Sequence, residues 1–203
     1  MKLICIGRNY AAHIDELSNE RPSEPVVFIK PDSAILPKEQ DFYIPEFSNE
    51  VHYEVEILVK IKKLGKHISE KFSHKYYDEI GLGIDFTARD LQSGLKAKGL
   101  PWEKAKGFDG SAVVGKWLQK EKYEKIDKLG FSLLKNGEIV QKGDTSLMLW
   151  KIDELISYVS TYFTLKKGDI LFTGTPAGVG KVVANDYLQG RIEDEQIFAI
   201  NVK

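Results

Sequence analysis

Three carboxylates are the side chains of this sequence whose types and spacing best fit chemistry. Glu54 and Glu56 flank Val55 in a strand-forming run, so both leave the same strand face, with Cα atoms about 7 Å apart. Two like charges on one face repel each other unless something positive lies between them. Asp85 ends the small and apolar run 80–84, which is typical of a buried strand, and a carboxylate there needs a partner. We therefore predict that the three side chains hold one divalent metal ion.

The ligand types indicate which ion this would be. Three carboxylates, with no cysteine or paired histidine beside them, form a hard, all-oxygen set that suits magnesium, manganese or calcium better than zinc. An octahedral magnesium ion with three protein ligands would keep about three positions open for water or substrate, which suits catalysis. Two alternatives stay open: the two glutamates are incidental charges facing solvent, or Asp85 forms a structural ion pair with Arg89. His52 shares the strand face of Glu54 and could be a fourth ligand, although a histidine packed nearby is the more common case.

A histidine and a carboxylate near the N-terminus form a second candidate pair. His13 and Glu16 are three residues apart, so they lie on one face if residues 10–17 are helical. A carboxylate orients an imidazole and raises its basicity, which makes a usable general base near neutral pH. The same spacing is common in surface contacts, so spacing alone does not assign a function to the pair.

Three further side chains carry hydrogen-bond donors that suit an anionic substrate. Arg89 and Gln92 are three residues apart and follow Asp85, whereas Lys106 lies in a glycine-containing loop. All three can donate to a substrate carboxylate or to a developing enolate oxygen. The alternatives are that Arg89 only pairs with Asp85 and that Lys106 is a solvated surface lysine.

The elements that must position these residues are mostly strands. Short β-branched runs bounded by Gly, Pro or Asn-Gly predict strands at 3–6, 26–29, 53–61, 80–85, 111–114, 131–134, 139–140, 170–173 and 197–202. Apolar residues at helical spacing predict helices over 10–17, 88–98 and 152–160. Asn136-Gly137 predicts a hairpin, and the Lys- and Glu-rich stretch 118–128 is predicted to be a solvated excursion. Because strands outnumber helices and do not alternate with them, we predict a mostly β, α+β fold, not a doubly wound parallel sheet.

Length and charge limit the classes of protein that this chain can be. It has 203 residues, of which 29% are charged, and a formal net charge of -1. That balance gives no electrostatic footprint for nucleic acid or for an anionic membrane. Cys5 is the only cysteine, so no disulfide can form within the chain, which is compatible with a reducing cytoplasm. The N-terminal apolar run is too short for a secretory signal, and no run approaches the roughly 20 apolar residues of a membrane span. We expect one cytoplasmic catalytic domain, residues 1–203.

Eight short motifs occur in order along the chain. They are GRNYAAH at 7–13, FIKP at 28–31, EVE at 54–56, DFTARDLQ at 85–92, KGLPW at 98–102, KGFD at 106–109, NGE at 136–138 and TGTPAGVG at 173–180. In this order they resemble the fumarylacetoacetate hydrolase family, particularly its short acylpyruvase-like members, over essentially the whole chain. The resemblance implies a twisted β-sandwich or roll with a few short helices, a homodimer, and Mg²⁺ or Mn²⁺ bound by Glu54, Glu56 and Asp85. The ligand types also allow Ca²⁺ in place of the native ion.

The resemblance also implies roles for the residues around the metal. His13 and Glu16 would activate the attacking water from a lid that orders when ligand binds. The substrate-binding residues it implies are Arg89, Gln92 and Thr175, the last in the glycine-rich turn 173–180, and on weaker grounds their neighbour Lys30. It implies Lys106 as a catalytic residue. Two positions depart from the family pattern, because Ala12 and Leu147 replace residues that are often acidic.

Together these features predict a metal-dependent hydrolase that cleaves a carbon–carbon bond of an acylpyruvate-type 1,3-dioxo acid. The leaving group would be a pyruvate enolate, stabilised by the metal and Lys106. An alternative is oxaloacetate decarboxylation or 2-oxo acid tautomerisation, which pass through the same enolate without the water. A second alternative is a metal- or ligand-binding protein without turnover, but a mere binder has no need of the pair His13–Glu16.

Overall fold

The apolar runs of the sequence form fourteen strands and five short helices in the computed structural model, which describes residues 1–17 and 20–203. The strands are β1 Lys2–Gly7, β2 Val26–Pro31, β3 Val51–Tyr53, β4 Val55–Ile61, β5 Tyr77–Asp85, β6 Thr87–Ala88, β7 Ala112–Val114, β8 Leu118–Gln119, β9 Gly130–Lys135, β10 Glu138–Asp144, β11 Ile170–Phe172, β12 Gly180–Lys181, β13 Tyr187–Ile192 and β14 Glu195–Asn201. The helices are α1 Ala11–Glu16, α2 Glu70–Ser73, α3 Arg89–Ala97, α4 Glu103–Lys106 and α5 Ile152–Tyr162. The predicted mostly β, α+β class is confirmed.

The strands form three sheets. The main sheet has the order β2-β1-β11-β4-β5-β7, with β8 also paired to β5. Its β1–β11 pair is parallel and its other pairs are antiparallel. A second, antiparallel sheet has the order β10-β9-β13-β14, and a small third sheet has the order β12-β3-β6.

Side-chain alternation along β4 explains how the sheets pack. Val55 and Ile57 belong to an apolar cluster shared with the second sheet, and Val59 and Ile61 belong to one shared with α5. Leu58 points the other way, into a separate cluster with residues of β1 and β11. One face of β4 therefore supports the core, and the opposite face is the one that also carries Glu56.

Two breaks in the strands lie side by side and position the carboxylates. The predicted strand 53–61 is interrupted at Glu54, because β3 pairs in the small sheet and β4 in the main sheet. Likewise β5 ends at Asp85, and after Phe86 the chain enters the small sheet as β6. The Asp85 amide donates to the Glu54 carbonyl at 2.8 Å, so the two crossing points are tied together.

Local signals predicted several other elements correctly. The hairpin between β9 and β10 turns at Asn136 and Gly137, whose φ angles of 55° and 89° are those that this turn requires. The helix predicted at 152–160 is α5. Among the described residues, no helix is long and apolar enough to cross a membrane.

The structure departs from the sequence-based expectations at two further places, each for a reason of packing. The sequence pattern predicts no strand at 187–192, yet β13 forms there, with Gly190 in place of an apolar residue because a Cβ would lie 2.1 Å from the Phe198 ring. The stretch 118–128 is not wholly solvated. Its first residues form β8 against β5, and Leu118 and Tyr123 pack against the core.

We predict that Leu155→Ala on α5 lowers the free energy of unfolding by about 2–5 kcal/mol, because it leaves a cavity in place of a fully buried side chain. Leu147→Ala is the matched control, since Leu147 is 65% exposed, and should change stability by less than about 0.5 kcal/mol. Urea denaturation measures both. Equal losses in the two variants would contradict the packing of α5 on the main sheet.

Candidate active site

The three predicted metal ligands converge in the structure. One carboxylate oxygen from each of Glu54, Glu56 and Asp85 lies within 4.8 Å of the others, and all three side chains are buried. Glu56 lies on β4 and Asp85 at the end of the neighbouring β5, while Glu54 occupies the break before β4. The alternative that the two glutamates face solvent is therefore wrong. The role of the cluster in binding a metal stays a prediction at this point.

Lysine and arginine side chains contact this cluster from two helices. The Lys106 ammonium on α4 lies 2.8 Å from Glu54 Oε2, 2.7 Å from Asp85 Oδ2 and 2.6 Å from the Thr87 hydroxyl. Arg89, at the start of α3, forms its ion pair with Glu54. The alternative of an Asp85–Arg89 pair is thus wrong, because Arg89 at the start of α3 contacts Glu54 instead. The alternative of a solvated Lys106 is also wrong, because Lys106 is only 3% exposed.

Burial and the neighbouring charges set the charge states of Glu54 and Lys106. Burial by itself raises the pKa of Glu54, but Lys106 and Arg89 outweigh it and hold that pKa well below its ordinary value. Burial likewise opposes the charged form of Lys106, yet Asp85 and Glu54 raise its pKa above the ordinary value. Glu54 is therefore a carboxylate and Lys106 an ammonium at neutral pH.

Lys30 lies behind Asp85, outside the wall of the cavity described below. Its ammonium is fully buried and donates to the Ser111 carbonyl at 2.8 Å, the Ser111 hydroxyl at 3.0 Å and the Phe86 carbonyl at 3.2 Å. It also lies 2.6 Å from Asp85 Oδ1. Burial lowers the pKa of Lys30, and the charge of Asp85 opposes that shift. This position fits a residue that holds Asp85 in place, and it does not support the predicted substrate contact.

The oxygen atoms of Asp85 and Glu56 that do not contact Lys106 are suited to a divalent cation. Asp85 Oδ1 makes a 2.6 Å charge contact with the Lys30 ammonium but receives no hydrogen bond of standard geometry from the described residues. Glu56 accepts one backbone hydrogen bond, from the Gly174 amide at 2.7 Å. Burial, then the charges of Asp85 and Glu54, raise the pKa of Glu56 well above its ordinary value. A hard cation beside Glu56 and Asp85 would relieve both conditions.

The pair His13–Glu16 forms as predicted. Both lie on α1, with His13 Nδ1 3.3 Å from Glu16 Oε2, and Glu16 is held in turn by the Gly178 amide at 3.0 Å. Burial lowers the pKa of His13, although Glu54 and Glu16 oppose that shift. Glu16 thus acts in the predicted direction, but burial outweighs it and keeps the imidazole neutral. Since Nδ1 faces the carboxylate and donates to it, Nε2 carries the lone pair.

A small cavity of about 50 Å³ joins the carboxylates to this pair. The predicted site residues that line it are Glu54, Glu56, Asp85, His13, Arg89, Gln92, Lys106 and Thr175. A larger open groove of about 710 Å³ shares only Arg8 with this cavity, and none of Glu54, Glu56 and Asp85 lines it. The small cavity is therefore the candidate active site.

The cavity wall also holds residues for which the sequence predicts no role in the site, although three of them lie in the ordered motifs. These include Arg8, Lys96, Phe28 and Trp102. Lys96 follows Gln92 by four positions on α3, so helical spacing could have found it. Arg8 could not be found in this way, because its φ of 59° places its side chain by a left-handed backbone that no sequence pattern here requires. His52 lies outside the carboxylate cluster and contacts Glu50 at 3.1 Å.

The chain matches known proteins over nearly its whole length. The model of the fumarylacetoacetate (FAA) hydrolase C-terminal domain matches residues 2–199. The sequence is 43% identical to a mitochondrial oxaloacetate tautomerase of Bos taurus over 190 residues, 94% of this chain and 86% of that protein. It is 41% identical to a mitochondrial oxaloacetate decarboxylase of Dictyostelium discoideum over 182 residues, 89% of this chain and 84% of that protein. A crystal structure of fumarylpyruvate hydrolase from Pseudomonas aeruginosa, in complex with Mn²⁺ and pyruvate, has a TM-score of 0.94 at 33% identity and covers 100% of this chain and 89% of that one.

We predict that Mn²⁺ raises the melting temperature of the protein and that Glu56→Gln removes this effect. The amide keeps the acceptor for the Gly174 amide but not the charge, so affinity should fall by at least the roughly 10–100-fold typical of changes around a metal. Without metal, the variant should be at least as stable as the parent, because one of three adjacent carboxylates is neutralised.

Calorimetric titration with Mn²⁺ measures the affinity, and Asp194→Asn is the control because Asp194 is exposed and lies outside the cluster. If Glu56→Gln binds Mn²⁺ as tightly as Asp194→Asn does, the cluster is not the metal site.

Proposed function

Since the chain belongs to the fumarylacetoacetate hydrolase family, we propose that it is a metal-dependent enzyme that interconverts the keto and enol forms of oxaloacetate or a closely similar 2-oxo acid. The observation that carries the proposal is that His13 and Lys106 line one cavity together with the three carboxylates. Burial lowers the pKa of His13, whereas Asp85 and Glu54 raise the pKa of Lys106, so this cavity offers a base and an acid at neutral pH. The similarity to an oxaloacetate tautomerase over 94% of this chain supports this choice of reaction.

The metal in this proposal is Mg²⁺ or Mn²⁺, held by Glu54, Glu56 and Asp85, with Ca²⁺ as a substitute. When bound, it supplies a Lewis acid beside the substrate's oxygen atoms. The buried, all-oxygen donor set supports such an ion, and Mn²⁺ is present in the complex of the Pseudomonas relative.

The charge of the cavity wall supports an acidic substrate. Four cationic side chains line it, Arg8, Arg89, Lys96 and Lys106. Arg89 donates to the Gln92 side-chain oxygen at 2.6 Å, which leaves the amide NH₂ of Gln92 to donate to a substrate carboxylate. Arg89 and Gln92 therefore act as a unit in this proposal, with the arginine fixing which end of the amide faces the substrate.

Two proton transfers complete the tautomerisation. The C3–H bond of oxaloacetate breaks and His13 Nε2 takes the proton, while the electron pair forms the C2–C3 double bond. The C2 carbonyl oxygen becomes the enol hydroxyl by accepting a proton from the Lys106 ammonium. His13 then releases its proton to solvent and Lys106 regains one, so the net change is one proton moved from carbon to oxygen.

Hydrolysis of an acylpyruvate is the second candidate function. The sequence alone favoured it, and His13 held by Glu16 could equally deprotonate a water. Similarity to fumarylpyruvate hydrolase supports it at family level, whereas relatives of higher identity are named for oxaloacetate chemistry. Decarboxylation of oxaloacetate shares the same enolate. A homodimer and a cytoplasmic location belong to the proposal as expectations.

We predict that the Mg²⁺-loaded protein accelerates keto–enol exchange of oxaloacetate, followed by the ultraviolet absorbance of the enol. His13→Gln should lower kcat by about 100–10,000-fold, the range for loss of a general base, while Mn²⁺ binding persists. His67→Gln is the control, since His67 is exposed and outside the cavity. Assays of acylpyruvate cleavage and of oxaloacetate decarboxylation run beside it, and turnover of acylpyruvates alone would replace tautomerisation by hydrolysis.

We also predict the pH dependence of kcat/KM. Because burial holds the pKa of His13 below its ordinary value of 6.5, the base is lost only as the pH falls below that value. Glu16→Gln removes an influence that raises the pKa of His13, so the acid limb should move to lower pH. A limb centred above 6.5, or one that moves upward in Glu16→Gln, would contradict the assignment of His13 as the base.

A further inference from the structure

A glutamine from a different sheet joins two parts of the candidate active site. Gln141 lies on β10 of the second sheet, directly after a register shift at Ile139, and its side chain is 1% exposed. Such a shift turns a strand locally and re-aims its side chains. Here the side chain reaches the segment that carries the metal ligands, far from it in sequence.

The Gln141 amide is satisfied on both sides. Its oxygen accepts from the Val55 amide at 2.9 Å. Its NH₂ group donates to the Thr175 hydroxyl at 2.9 Å and to the Pro176 carbonyl at 3.0 Å. A backbone N–H can only donate and a carbonyl can only accept, so these partners fix which end of the amide is which.

This orientation fixes the Thr175 hydroxyl as well. Its oxygen accepts a hydrogen bond from Gln141, so its own proton is left for another acceptor. The described residues supply no acceptor for it, and Thr175 lines the cavity. The acceptor that chemistry provides there is a carboxylate or enolate oxygen of the substrate.

We propose that Gln141 is a positioning residue, which orients the Thr175 hydroxyl as a hydrogen-bond donor to the substrate and holds the Glu54–Val55 peptide. Thr175 touches substrate in this inference, and Gln141 acts through it. The inference rests on the proposed function only in assuming that a 2-oxo acid occupies the cavity.

The second link between the same segments supports this role. Gly174, next to Thr175, donates its amide to Glu56, so the loop after β11 is tied to β4 at two adjacent places. The Gly174 φ of 98° makes this approach possible, and a Cβ there would lie 2.7 Å from Asn9 Cβ. The hydrogen bonds of Gln141 and of the Gly174 amide together set the distance between the carboxylates and Thr175.

The test exploits the direction of the hydrogen bonds. In Gln141→Glu, the side chain still accepts from the Val55 amide, but its carboxylate accepts the Thr175 proton and removes it from the substrate. Thr175→Val removes the same donor directly. Each variant, saturated with Mn²⁺, should bind pyruvate about 10–100-fold more weakly, the range for a hydrogen bond to a charged group.

The double variant decides between positioning and general damage. Gln141→Glu combined with Thr175→Val should bind pyruvate no more weakly than Thr175→Val alone, because both changes remove one donor. If Gln141→Glu does not fold, Gln141→Met replaces it in the test. Methionine has a similar volume but makes none of the three hydrogen bonds, and the same non-additivity with Thr175→Val is expected. Ser160→Ala on α5 is the control for stability: it removes the buried acceptor for the Ile68 amide, so it should lower the melting temperature and leave pyruvate affinity unchanged.

Pyruvate binding separates this inference from the proposed function. Non-additive losses in a protein that turns over no oxaloacetate would keep the role of Gln141 and overturn the proposed reaction. Additive losses, unchanged affinity in Thr175→Val, or a loss in Gln141→Glu that Ser160→Ala reproduces would each overturn the role of Gln141.

Discussion

Burying three carboxylates at one point is the constraint on which this structure depends. Charged groups lose their hydration on burial and are tolerated only with partners of opposite charge and good hydrogen bonds. The chain meets this demand with cations from three separate elements, Lys30 on β2, Arg89 on α3 and Lys106 on α4. Those short helices do little for the core, so their place in the fold is explained by what they bring to the carboxylates.

The carboxylates lie where the chain leaves one sheet for another. A regular strand would use its backbone groups in sheet pairing and point successive side chains to opposite faces. The breaks at Glu54 and Phe86 free backbone groups for other partners, such as the bond from the Val55 amide to Gln141. The irregularity thus lets Gln141 of the second sheet reach the backbone between Glu54 and Glu56. The third small sheet fixes where both breaks occur.

One cavity holds groups whose environments drive their charge states apart. His13 is buried without enough negative charge to protonate it, whereas Lys106 is buried between two carboxylates that keep it charged. Burial of His13 and the carboxylates beside Lys106 therefore leave a base and an acid at neutral pH, from residues that would both be cationic in mildly acidic water. Enol chemistry needs this combination, because a proton leaves carbon while another reaches oxygen. Tautomerisation, decarboxylation and hydrolysis can all use it, and the identity of the substrate selects among them.

The sequence by itself determined the features that follow from local periodicity. Strand alternation placed Glu54 and Glu56 together, and helical spacing joined His13 to Glu16, because covalent geometry fixes which neighbours share a face. The ordered motifs identified the family. Only the tertiary structure decided that Arg89 pairs with a glutamate and not with Asp85, that Lys30 and Lys106 are buried, and that Gln141 belongs to the site. Those contacts join segments distant in sequence, and their partners are selected by burial, which forces each charge and amide to find whichever group lies within reach.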